Sequence, residues 1–243
     1  MSSNRSNVGK TESMVFSTKR KRGKTADFEV KCGGSSIKRV HSVRYLGVVL
    51  DECLSGEDHA LATISKISAR IAFLYRNAHL LTFRCKQTLC TALIQPYFDY
   101  CCSSWYTGLA VKHKKKLDVL QRKMVRLVFN QEPRDHVGQE HFQKLKWFPD
   151  RVRYFKMIHV FKIHSQRAPQ YISESFKRVS EILSHGTRQS NFDFHLCKAD
   201  SLGPMSNSFR FSATKEWNGL PTDVKSSQNE QKFKTSLKAF LFK

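Results

Sequence analysis

The chain changes its hydrophobic period near residue 55. Before that point apolar and polar residues alternate in short runs, so residues 14–18, 27–32 and 37–50 read as strands. In the last run Val43, Tyr45, Gly47 and Val49 share one face, and Arg44, Leu46, Val48 and Leu50 the other. The basic tract at 19–24 and the pair Gly33 and Gly34 fall between the runs and read as turns, the tract equally as a nuclear-import or phosphate-contact patch. A small antiparallel sheet is the simplest arrangement. From Ser55 onward Leu61, Ile64, Ile67, Ile71 and Leu74 recur at steps of three and four, which predicts a helix over 55–79. Ser55 with Asp58 three residues later has the form of a capping box.

Further helices follow from the same period. Leu89 and Leu93 mark one that breaks at Pro96, followed by an aromatic segment, 97–105, expected to be buried. A third covers 109–129, with Leu117, Leu120, Met124, Leu127 and Val128 in one stripe; at about 100° per residue Lys115, Arg122 and Arg126 fall opposite, with Lys112 beside them. Others are predicted over 150–166, from Ser173 through Phe176 and Val179, over 209–217 and over 228–242, whereas 184–207 reads as a loop. The fold class is therefore α+β and mainly α. Residues 1–54 form a β unit, 55–131 a first helical unit and 132–243 a second.

Charge narrows the choice of partner. Among 243 residues, 42 Lys plus Arg against 20 Asp plus Glu leave a formal charge of +22, which points to a polyanion, because each cation placed on a phosphate releases counterions. With 40% hydrophobic residues and 18 Phe the chain can build a core. No apolar run reaches the roughly 20 residues of a membrane helix, and the first ten residues lack the apolar stretch of a signal peptide, so an intracellular protein, nuclear or cytoplasmic, and no membrane partner are expected. The seven cysteines are odd in number and lack a regular framework, which predicts reduced thiols packed as small apolar groups.

Chemistry is harder to place. Two-metal nucleotidyl transfer needs carboxylates that share divalent cations, and the chain has no Asp-Asp pair. Its densest acidic patch, Asp51, Glu52, Glu57 and Asp58 with His59, sits at the start of a helix, where acids already answer to the dipole and to capping. No Cys pair and His pair follow one another at zinc-finger spacing, and neither a Gly-x-Ser-x-Gly elbow nor a glycine-rich phosphate loop occurs. No catalytic or metal-ligating residue is therefore assigned. Aromatic and basic neighbours such as Arg210 with Phe211 could stack on bases, but their helical spacing fits core better.

Several strings nevertheless occur in a recognisable order: KTE at 10–12, VRYLGVVLD at 43–51, LS at 54–55 with His59, ALIQPYFDYC at 92–101 with Trp105, LQRKMVR at 120–126, WNGLP at 217–221, then FK at 233–234 and LK at 237–238. Together they resemble the reverse transcriptases of LINE-type (non-long-terminal-repeat) retrotransposons, jockey-like ones especially, over nearly the whole chain. The resemblance implies a palm edge, a helical thumb and a carboxyl-terminal extension. Tyr45, Leu46 and Gly47 would form the primer-grip-like hairpin, and Lys112, Lys115, Arg122 and Arg126 would contact an RNA/DNA template–primer. In the family two Mg²⁺ ions sit on Asp residues of two palm motifs, the second of which should lie upstream of Lys10. Neither motif is present, so no cofactor is expected to be retained, polymerase activity is not expected, and the missing palm and fingers would be the natural packing partner. Gly56 departs from the pattern, which usually has an aromatic there. The alternative is a domesticated basic protein that binds nucleic acid or a protein partner without enzymatic activity.

Overall fold

The computed structural model describes residues 8–18, 20–21, 23, 27–147, 150–182, 192–196 and 208–241. The basic tract 19–24 lies partly outside these residues, as does most of the loop expected at 184–207, together with Cys197. Among the described residues a short 3-10 turn (Val8–Lys10) and five strands precede the α-helices: β1 (Glu12–Ser13), β2 (Val30–Cys32), β3 (Ser35–Arg39), β4 (Ser42–Tyr45) and β5 (Val48–Asp51). They form two small sheets, not the single antiparallel one expected: β2 and β4 pair antiparallel with β3 and β5, but β1 adds to β3 in parallel. Residues 14–18 are not a strand. Both hairpins close through two consecutive residues of positive φ, Gly33 and Gly34 in one, Leu46 and Gly47 in the other, the twist that suits a two-residue turn.

The helices are α1 (Glu57–Arg76), α2 (Phe83–Leu93), α3 (Gln95–Asp99), α4 (Cys102–Trp105), α5 (Val111–Phe129), α6 (Gln139–Leu145), α7 (Arg151–His164), α8 (Gln170–Ser173), α9 (Val179–Ile182), α10 (Phe209–Asn218), α11 (Thr222–Lys225) and α12 (Glu230–Leu241). Pro96 does end α2, yet it also opens α3, where its missing N–H costs nothing. The aromatic segment divides: Trp105 is buried, while Tyr100 is exposed.

The capping box expected at Ser55 and Asp58 is replaced by a different device. Gly56 stands at the N-cap with φ of 71°, and Ser55 Oγ accepts from the Glu57 N–H at 3.2 Å while donating to Asp51 at 3.1 Å. A Cβ on Gly56 would lie 2.4 Å from the Trp105 carbonyl oxygen. Both the positive φ and this close approach require glycine at this position.

Two apolar clusters fill the interior. The first joins β5, α1, α2, α5 and α6, from Val48 through Ile67, Leu74, Met124 and Val128 to Phe142 and Trp147. The expected division at 131/132 falls inside it. The second joins α7, α10, α11 and α12 around Met157, Phe161, Trp217, Phe233 and Leu237. Helix α7 serves both, with Val152 and Phe155 against the first cluster and Met157 to Ile163 in the second. Its Arg151 forks onto the Asp99 carboxylate of α3, and its buried Lys156 donates to Glu216 of α10 at 2.7 Å. The WNGLP string is structural. Trp217 is fully buried and donates to the Phe192 carbonyl at 2.9 Å; Asn218 both donates to and accepts from the Phe194 backbone; and buried Lys225 binds Asp193 at 2.7 Å.

Candidate nucleic-acid interface

Helix α5 has two faces because its apolar residues return every three or four positions. His113, Leu117, Leu120, Met124, Val125, Leu127 and Val128 are buried, packed largely against α1. Each fully buried apolar side chain contributes about 1.5–3 kcal/mol, which fixes the helix and leaves its outer face aimed at solvent. At its end Asn130 adopts the left-handed conformation, and its side-chain oxygen accepts from the buried Lys86 ammonium.

The four basic residues expected on the outer face meet different fates. Lys112 is exposed and pairs with Glu57 at 3.0 Å. Lys115 is exposed and makes no hydrogen bond or ion pair with a described residue. Arg122 bonds Asp118 at 3.1 Å and the Val137 carbonyl at 3.3 Å, and Arg126 bonds the Asp135 carbonyl at 3.0 Å. These two arginines are half-buried and hold the 131–138 segment as it returns along the helix. That segment covers one flank, so the open surface passes to the other, where Lys116 and Lys123 are exposed and their ammonium groups have no partner among the described residues, although the Lys123 carbonyl accepts from the Tyr75 hydroxyl at 3.1 Å. The opposite-face rule missed them. The signal was present in the spacing of Lys112, Lys116 and Lys123, at steps of four and seven.

Around this face the charges are arranged for structure. Glu57 is held at a pKa of about 2 by hydrogen bonds from His113 and then Lys112. Lys114 turns toward the molecule's body, donating to the Thr107 carbonyl at 3.1 Å; burial, and then the Lys156 charge, pull its pKa down. The acidic patch is a backbone clamp: the Asp51 carboxylate accepts from the N–H groups of Cys53, Ser55 and Gly56 and from the Ser55 hydroxyl. Glu52 is buried against His41 at 2.9 Å. His59 accepts the Val49 N–H at 3.2 Å, and burial, then Lys66, lower its pKa. Among the described residues no three His, Cys, Asp or Glu side chains come together as a metal site. The described cysteines are all free thiols, and burial pushes Cys90 and Cys102 up to about 12.

Tyr45, Leu46 and Gly47 form the tip of the β4–β5 hairpin. Tyr45 and Leu46 are 63% and 76% exposed. The tip rests on Tyr100, whose hydroxyl donates to the Leu46 carbonyl at 2.5 Å and whose ring lies 3.2 Å from where a Gly47 Cβ would stand. No helix among the described residues is long and apolar enough to cross a membrane. No protein-family model, curated protein or solved structure matches the chain.

Proposed function

We propose that the chain is the carboxyl-terminal part of a non-long-terminal-repeat retrotransposon reverse transcriptase, which binds template–primer duplex without catalysing synthesis. The observation that carries the binding half is the open lysine face of α5: Lys115, Lys116 and Lys123, whose side chains have no hydrogen-bond or ion-pair partner among the described residues, and Lys112 in an exposed pair. Such a pair is worth about 0–1 kcal/mol, so a phosphate can take Lys112 from Glu57. From Lys112 to Lys123 the helix rises about 16 Å, which spans several phosphates of a strand and suits shape-based contact with little base selectivity.

The family half rests on the ordered strings from KTE to LK, and two structural features favour it. Phe16, Phe28, Tyr45, Leu46 and Leu54 are large apolar side chains exposed within the first 54 residues, a surface suited to packing on absent palm elements. The Tyr45–Gly47 tip is a tight, presented hairpin of the kind a primer grip requires. The catalytic half of the reading is negative: without an Asp-Asp pair the chain has nothing to hold two metals as the family does. Filter binding of an RNA–DNA duplex should weaken steeply with salt, and primer extension with Mg²⁺ should give nothing above blank. Salt-indifferent retention, or extension products, would refute the proposal.

A further inference from the structure

A cavity of about 360 Å³ opens between α4, α7, the turn before α8, and the first residue of α10. Its lining contains no acidic residue. One side is apolar and aromatic, formed by Ile172, Phe209 and His159, the last two rings meeting edge-on at 6.4 Å. The rim carries Lys162 and Arg167. Arg167 is exposed and its side chain makes no hydrogen bond with a described residue, but its charge, like that of Lys162 at 3.9 Å, acts on the Glu230 carboxylate, whose closer partner is Lys234 at 2.6 Å. Ser103 also faces this space. Only 9% exposed, its hydroxyl makes no hydrogen bond among the described residues.

An apolar wall with aromatic rings, two cations on one rim and one spare hydroxyl on a largely buried serine call for a ligand with a flat body and an anionic end. A base offers a π-face to Phe209 and His159; a phosphate offers oxygens to Lys162 and Arg167. We propose that this cavity binds one nucleotide, base inward and phosphate at the rim. The site uses none of the α5 lysines and stands or falls separately from duplex binding.

Calorimetric titration of the full chain with adenosine monophosphate, adenosine and inorganic phosphate tests it. The monophosphate should bind saturably and more tightly than either part. Arg167→Gln should weaken it by about tenfold, since a charge-assisted bond to phosphate is lost, whereas Lys144→Gln, at an exposed position of α6, should leave it unchanged. Phe209→Leu keeps apolar volume but removes the ring, and should weaken the monophosphate more than inorganic phosphate. Absence of saturation at millimolar monophosphate, or equal affinity in Arg167→Gln, would overturn the proposal. Displacement of the monophosphate by single-stranded oligothymidylate would identify a strand as the source of the nucleotide; saturable binding without displacement would identify the free nucleotide. Loss of monophosphate binding with duplex binding intact sinks only the cavity, and the converse sinks only the α5 face.

Discussion

Glu57 joins the start of α1 to the start of α5 through His113 and Lys112, and its acidity makes that join sensitive to pH. Its folded pKa of about 2 lies below the ordinary 4.5, so its stabilising effect is complete above 4.5 and fades as pH falls toward 2. Thermal melts should show the gap between wild type and Glu57→Gln closing over that interval; a constant gap would mean that the carboxylate gains nothing from its partners. Gly56 is the other sensitive position. Gly56→Ala forces a side chain into positive φ and against the Trp105 carbonyl, and should destabilise by about 1–3 kcal/mol in denaturant titrations.

Among the elements, α10 and α11 depend on a buried ion pair. Lys225→Met strands the Asp193 carboxylate beside an apolar core and should cost about 3–5 kcal/mol, while adding Asp193→Leu should recover most of that loss. The strands before α1 are short, and large apolar side chains among them are open to water, so their amides should exchange faster than those around Ile67. Equal protection would contradict this. The long helices were legible in the sequence: α1 and α5 through a one-sided 3.6-residue period over 19 or 20 residues, and α7, apolar on more than one side because it serves both clusters, through the steps of three from Val152 to Phe161; all three lie within a few residues of expectation. Short pieces were not. Neither α6 nor α11 repeats its period long enough to register, and β1 gains its parallel partner only from tertiary packing. The aromatic run at 97–105 divided because Tyr100 is drawn outward to the Leu46 carbonyl, a long-range bond that no local pattern encodes. The candidate interface was half legible for the same reason. The periodicity of α5 gives its outer side, but only the return of 131–138 decides that Arg122 and Arg126 are occupied and that Lys116 and Lys123 are open.

For the molecule as a whole, the charge of +22 is unevenly used. Lys86, Lys156 and Lys225 are buried with partners, Arg122, Arg126 and Arg151 fasten segments together, and Lys115, Lys116 and Lys123 of α5 have side chains exposed and unengaged among the described residues. Binding would then come from a few specific lysines instead of from the bulk excess. Fluorescence anisotropy of a labelled RNA–DNA duplex, titrated from low to high salt with wild type and with Lys115, Lys116 and Lys123 all changed to Gln, separates the two. Each lysine on a phosphate contributes about 0.9 to the slope of log affinity against log salt, so the triple variant should bind more weakly with a slope shallower by about 2–3. Three neutralised surface charges that leave both affinity and slope unchanged would contradict a template–primer face on α5.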